Sequence, residues 1–340
     1  MNLLKKAAIG LAALIVLFVL IAFLLPRQAH VERTATIDAP AATVFALVNN
    51  LHNFNRWSPW KDADPQARYT FDGPVEGVGA KMSWVGDPST VGTGSMTIRE
   101  SRPNEMIGVD LDFVMDGTSN STWTFVPEGS GTKTTRAFDS DLENNPINRW
   151  RGLLYDRMIG AEYEQGLAGL KTLAESIPRA DLAGFTAEVI EVAPVTLAYV
   201  PRKSAKDGES IKAAITDGYM KVGAFMKAKG LQFAGAPITI NTKWDDTGYE
   251  FDAAIPVDRP PETPAAADDE VRVKPSYGGR VIKVEHTGAY SGLDETYNKL
   301  FAWAALNGYE QNGPPWDEYV TDPGIVPEPE LRTNVYLPVK

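Results

Sequence analysis

From Ala7 to Leu25 the chain reads "AAIGLAALIVLFVLIAFLL", 19 residues without a charged or strongly polar side chain. At about 1.5 Å per residue, a helix of that length nearly matches a hydrocarbon core of about 30 Å. The pattern predicts one N-terminal transmembrane anchor over 7–25. It is read as uncleaved, because the run is long and no small-residue cleavage motif follows Pro26-Arg27. Lys5, Lys6 and the terminal amine, set against Arg27 and Arg33, lean the N-terminus to the cytoplasm. The body then falls on the periplasmic or extracytoplasmic side of an inner (plasma) membrane.

Beyond the anchor the periodicity changes. "VERTATI" alternates as a strand does, and "DAPAATVFALVNN" brings Val44, Phe45, Leu47 and Val48 to helical spacing behind Asp38 and Pro40. Short strand-like segments follow, among them "AKMSWVG", "EMIGVDLDFV" and "GTKTTRAFDSDL", separated by turns. Ile147, Trp150, Leu154, Met158, Leu167 and Leu170 then predict one apolar stripe on a long closing helix. Residues 31–176 therefore read as an α+β domain, with a curved sheet gripping a helix, and 177–184 as a linker.

Residues 185–340 repeat themselves. Leu293, Tyr297, Leu300 and Trp303 align with Ile215, Tyr219, Val222 and Phe225. Gly308, Gly313 and Pro315 align with Gly230, Gly235 and Pro237. Each copy, 185–257 and 271–340, reads strand, helix, strand, strand. A Pro- and acid-rich loop, 258–270, joins them. The fold class is thus α+β throughout, with one transmembrane helix in front.

Composition narrows the chemistry. The formal net charge is −11, with neither soluble half basic, which argues against nucleic acid as a partner. There is no cysteine, only three histidines stand far apart, and no ligand spacing appears, so neither a metal nor any other cofactor is expected. On "TKTTRAF" the two-residue period puts Thr132, Thr134, Arg136 and Phe138 on one face. If Phe138 points inward, Arg136 enters the domain interior, either as an anchor for an anionic ligand group or paired with Asp110 or Asp112. Trp57, Trp60, Trp84 and Trp123 either line that interior or fill it.

The stretch "IDAPAATVFALVNNLHNFNRWSPW", with "GAEYEQGLAGLKTLAES" at the closing helix, resembles the START-like superfamily of polyketide cyclase/dehydrase and lipid-transport proteins. That resemblance implies a helix-grip fold around an apolar pocket, with Trp84, Trp123 and Arg136 as candidate ligand contacts. "VEHTGAYSGLDETYNKLFAWAALNGYEQNGPPWDEYVTDP" with "ELRTNVYLPV" resembles the GyrI-like effector-binding domains of AraC- and MerR-type multidrug regulators. This second resemblance implies two βαββ halves related by a pseudo-two-fold axis, and a cleft for lipophilic, often cationic compounds met by aromatics and one buried glutamate. Glu318, in "WDEY", stands at that motif position. The regulators' DNA-binding helix-turn-helix has no counterpart in this chain.

The repeat bears on Glu318 independently. Its counterpart in the first copy is Ile240, which shares a strand face with Ile238, so the carboxylate is expected where the first copy buries an isoleucine. A buried carboxylate needs a partner, and a cationic ligand is one. Trp316, Tyr290, Tyr336 and Trp244 are the aromatic candidates to meet it. The expected function is therefore a membrane-tethered small-molecule binding protein with two pockets, which senses, sequesters or passes on ligand. The alternative is an enzyme, a hydrolase of small electrophiles or a cyclase or lipid-modifying enzyme, with Glu318 as general base and Tyr290 as acid.

Overall fold

The computed structural model describes residues 3–113, 117–262 and 269–340. Part of the joining loop read at 258–270 lies outside the described residues, as does Val114 of the strand-like "EMIGVDLDFV". The chain divides into two compact units, Met1–Ile177 and Pro178–Lys340.

The first unit opens with α1 (Leu3–Leu24), which reaches back past the predicted start at Ala7. Its Lys5–Leu24 stretch has a mean hydropathy of 3.1 and is exposed over most of its surface, so by length and composition it can cross a membrane. The chain continues through β1 (Gln28–Ile37), α2 (Ala41–Asn49), and the single-turn helices α3 (Phe54–Trp57) and α4 (Trp60–Ala63). Then come β2 (Arg68–Asp72), β3 (Lys81–Val85), β4 (Thr93–Arg102), β5 (Met106–Phe113), β6 (Gly117–Glu128) and β7 (Gly131–Asp141). These strands form one antiparallel sheet in the order β1-β7-β6-β5-β4-β3-β2. The unit closes with α5 (Pro146–Ser176), capped by the Asn145 side chain.

Helix α5 corrects the single apolar stripe expected of it. Leu167 and Leu170 are buried, together with Tyr163, Gly166 and Ala174, whereas Ile147, Leu154 and Met158 are all more than half exposed. The cause is geometric. Leu154 and Leu170 are 16 residues apart, which at 3.6 residues per turn sets them on nearly opposite sides of the helix. The C-terminal half meets the rest of the fold through one face, and the N-terminal half presents its apolar residues on another.

The second unit comprises β8 (Glu188–Val192), β9 (Thr196–Ser204), α6 (Gly208–Lys229), β10 (Ile238–Asp245) and β11 (Gly248–Pro256), followed by β12 (Arg272–Pro275), β13 (Gly279–Thr287), α7 (Leu293–Leu306), β14 (Trp316–Tyr319) and β15 (Arg332–Pro338). The two copies merge into one eight-stranded sheet, β12-β9-β11-β10-β14-β15-β13-β8. Both helices end at corresponding glycines in left-handed conformation, Gly230 and Gly308. The repeat did not announce that each copy has a leading strand and sends it to the other: β8 pairs with β13, and β12 pairs with β9. Each half therefore completes its sheet edge with the other's chain.

Helix α6 packs on Ala198, Val200, Phe251, Ala253 and Ile255, while α7 packs on Ile282, Val284, Val335 and Leu337. Strand alternation assigns these residues to one face of the sheet. The opposite face carries neither helix.

Candidate functional site

The two copies meet where β10 pairs with β14. In that register Thr239 faces Asp317, Ile238 faces Glu318, and Ile240 faces Trp316. Thr239 and Asp317 are also 78 residues apart, the offset of the repeat, so this pair sits on the pseudo-two-fold axis. Alternation then separates the central residues. Ile238, Ile240, Trp316 and Glu318 share the helix-free face; Thr239, Asn241, Asp317 and Tyr319 share the face that carries α6 and α7.

On the helix-free face lies a groove of about 440 Å³, whose lining includes Ile238, Ile240, Trp316, Glu318, Tyr277 and Tyr336. Glu318 does share its face with the isoleucines, as the repeat implied. It is half-buried and accepts hydrogen bonds from Tyr336 Oη at 2.9 Å and Asn334 Nδ2 at 2.8 Å. Trp316 stacks on Tyr336 with 4.9 Å between ring centroids. Burial, and the carboxylate beside it, push the Tyr336 hydroxyl above the ordinary phenol range.

The deeply buried acid is the residue before it. Asp317 is 4% exposed and lies between the helices and the sheet. Tyr297 of α7 donates its hydroxyl to Oδ1 at 2.7 Å, and Thr239 and Asn241 donate to Oδ2 at 3.2 and 3.0 Å. Tyr249 donates to Asn241 Oδ1 at 2.5 Å, and Tyr319 lies 3.1 Å from the Thr239 hydroxyl. Tyr290 and Tyr219 pack edge-on against the Tyr319 ring, with centroids 5.4 and 6.4 Å away. Four tyrosines, Tyr219, Tyr249, Tyr297 and Tyr319, thus lie around one carboxyl group, and Tyr290 joins them through Tyr319. Burial raises the pKa of Asp317, against the opposing pull of its three donors. No lysine or arginine pairs with it among the described residues, and the buried Tyr219 hydroxyl has no hydrogen-bond partner there.

This arrangement divides the predicted contact residues. Trp316, Tyr336 and Glu318 gather in the groove. Tyr290 and Trp244 lie across the sheet from them: Tyr290 beside Tyr319, and Trp244 packed on Tyr249 at 5.2 Å. Glu318 and Tyr290 therefore cannot act as base and acid in one site. The repeat pairs Glu318 with Ile240 and so points to the helix-free face, whereas Asp317 and its donors lie on the other side of the sheet. A signal was nevertheless present: Thr239 and Asn241 alternate with the isoleucines, just as Asp317 and Tyr319 alternate with Trp316 and Glu318.

In the first unit Thr132, Thr134, Arg136 and Phe138 are all buried, so their face points inward as expected. Arg136 does not pair with Asp110 or Asp112, and Asp110 is held by Arg99 at 3.0 Å. Its partner is Glu162 of α5 at 3.2 Å, and its guanidinium lies over the Tyr163 ring at 3.7 Å and the Trp123 ring at 4.9 Å. Trp57, Trp60, Trp84 and Trp123 pack edge to face, Trp57 on Trp123 and Trp60 on Trp84. The Trp84 indole donates to the Val91 carbonyl at 3.0 Å. Trp57, Trp84 and Trp123 are buried in the unit, and Trp60 is half-buried. His286, close enough to Asp317 to favour its anion, has both ring nitrogens engaged, one by the Thr296 hydroxyl and one by the Ala289 carbonyl.

The fold and these two interiors define the class: a helix-grip unit followed by a duplicated βαββ unit of the small-molecule-binding kind. Residues 28–175 match the polyketide cyclase / dehydrase and lipid transport family, and residues 189–340 match the GyrI-like small molecule binding domain. The chain is accordingly a polyketide cyclase-like domain joined to a GyrI-like one.

No curated protein matches the chain. Among solved structures, the EcmrR C-terminal domain is similar at 18% identity and a TM-score of 0.40, over 46% of this chain and 98% of that one. EcmrR in complex with DNA is similar at 15% identity and a TM-score of 0.41, over 57% and 72%. A hydrolase from Listeria innocua is similar at 15% identity and a TM-score of 0.33, over 46% and 92%.

Proposed function

We propose that the GyrI-like unit binds a lipophilic cation over Asp317, between α6 and α7, and that α1 tethers this binding protein to an inner membrane with both units outside the cytoplasm. The observation that carries the reading is Asp317 itself: a buried carboxyl with donors on both oxygens, a ring of tyrosines, and no lysine or arginine partner among the described residues. Hydrogen bonds stabilise the anion only in part, and a cation brought against tyrosine faces would complete the offset. The unpartnered Tyr219 hydroxyl is a further polar group for a ligand to meet.

The test is a thermal-shift series on the full chain in detergent, using lipophilic ammonium and phosphonium ions beside neutral compounds of the same shape. Stabilisation by the cations is expected in the wild type and in Glu318→Gln, and is expected to be lost in Asp317→Asn. Loss in Glu318→Gln alone would move the site to the groove, and indifference to charge would end the cationic reading.

A second reading, hydrolysis with Glu318 as general base, is favoured by one observation, the Tyr336 hydroxyl within 2.9 Å. Since Tyr290 lies on the other face, that reading needs Tyr336 as the acid, and Tyr336 holds its proton more tightly than an ordinary phenol.

A further inference from the structure

The N-terminal half of α5 carries an apolar stripe that the fold leaves uncovered. Ile147, Leu154 and Met158, with Leu153 beside them, are each more than half exposed, and Trp150 is half-buried among them. Apolar side chains gain by leaving water, so a run of them exposed on one helix face marks an interaction surface.

The same segment touches α1. Trp150 stacks on Phe18 at 5.2 Å and donates its indole N–H to the Phe18 carbonyl at 3.2 Å. Arg149 donates to the Phe23 and Leu25 carbonyls at 3.2 and 3.4 Å, capping the C-terminus of α1 with a cation. Phe18 lies six residues before Leu24, which at about 1.5 Å per residue sets Trp150 about 9 Å below the helix end. That is the depth, about 5–10 Å, at which an interfacial helix buries its apolar face. Arg157 lies within the stripe, with an alkyl stem long enough to bring its charge to the headgroups.

We infer that residues 147–158 form a membrane-surface segment, which holds the first unit against the bilayer beside the exit of α1. The inference rests on the reading of α1 as a membrane anchor. Its consequence is orientation: the anchor and the segment together fix the polyketide cyclase-like unit on the lipid surface, so an apolar ligand need not cross water to reach it.

The test uses the wild-type chain in nanodiscs of phosphatidylcholine and phosphatidylglycerol, with peroxide oxidation of methionines followed by mass spectrometry. Met158 and Met220 are equally exposed, at 63% and 64%, so Met220 is the internal standard. Met158 is expected to oxidise about fivefold more slowly than Met220 in the bilayer. Equal rates overturn the inference. The chain has no cysteine, so single-cysteine variants provide a second measurement through bimane labels, quenched either by doxyl lipids or by an aqueous nickel chelate.

Labels at Leu154→Cys and Leu14→Cys are expected to report lipid, and a label at Lys133→Cys to report water. Lys133 pairs with Thr36, at the far end of β1 from α1. Lipid at Leu14 with water at Leu154 defeats the inference and leaves the anchor standing. Water at Leu14 defeats both.

Discussion

Tyr297 donates a hydrogen bond from its hydroxyl to Asp317 across 2.7 Å, tying helix α7 to the strand pair on the pseudo-two-fold axis. Through Asn241, which donates to both residues, and through Thr239, this bond draws the first copy into the second. Three donors converge on one carboxyl group, and burial still raises its pKa.

A consequence for acid–base behaviour follows from the direction of that shift. The folded chain keeps the Asp317 proton to higher pH than the unfolded chain does. Its contribution to stability is then full below the unfolded carboxylate pKa and is lost as pH rises through the folded value. Asp317→Asn cannot titrate, so the melting-temperature advantage of wild type over the variant should shrink as pH rises above the ordinary carboxylate range of about 4. Tyr297→Phe removes a donor to the anion and should extend the decline to higher pH. Parallel pH profiles for wild type and Asp317→Asn would show that the carboxyl does not titrate with folding.

In the first unit a close approach opposes helix propensity. A Cβ on Gly169 of α5 would lie 2.2 Å from the Trp57 carbonyl oxygen, whereas one on Gly223 of α6 would meet nothing within 4 Å. Alanine in an open helix position is favoured over glycine by up to about 1 kcal/mol, and forced overpacking costs about 1–3 kcal/mol. Gly169→Ala should therefore lower stability and Gly223→Ala should raise it, as read from urea midpoints of the full chain. The same sign at both positions would refute the close contact.

The Arg136–Glu162 pair should behave as a unit. Arg136 is almost fully buried, with its Nε unpartnered among the described residues, so removing Glu162 leaves a guanidinium with two aromatic faces but no anion. Such a loss costs about 3 kcal/mol, while replacing both charges with apolar groups is often nearly neutral. Glu162→Leu alone is expected to destabilise strongly, and adding Arg136→Met should recover most of the loss. An additive double variant in chemical denaturation would contradict coupling.

Topology is open to direct measurement. Lys5 and Lys6 precede the apolar run, and the body follows Arg27. A C-terminal alkaline phosphatase fusion should be active and a fluorescent cytoplasmic reporter at the same place dark. The reverse pair of outcomes would place both units in the cytoplasm.

Much of this protein is set locally and was legible in the chain. The long apolar α1 is a matter of length and composition, the presence of a long closing helix follows from its apolar spacing, and the duplicated unit shows itself in paired glycines, prolines and helix faces. The two-residue period also put Glu318 on the face of Ile240 and turned Arg136 inward.

What the chain alone could not decide is which face of a strand the fold covers. Residues 317 and 318 differ by one step of the pleat, and only the placement of α6 and α7 makes Asp317 the deeply buried acid and leaves Glu318 in an open groove. The tyrosines around Asp317 come from residues 219 to 319 and converge only when β10 pairs with β14. Helix α5 repeats the lesson. Its apolar positions are plain in sequence, but tertiary packing covers one set and leaves the other exposed, because a helix is longer than the face the fold offers it.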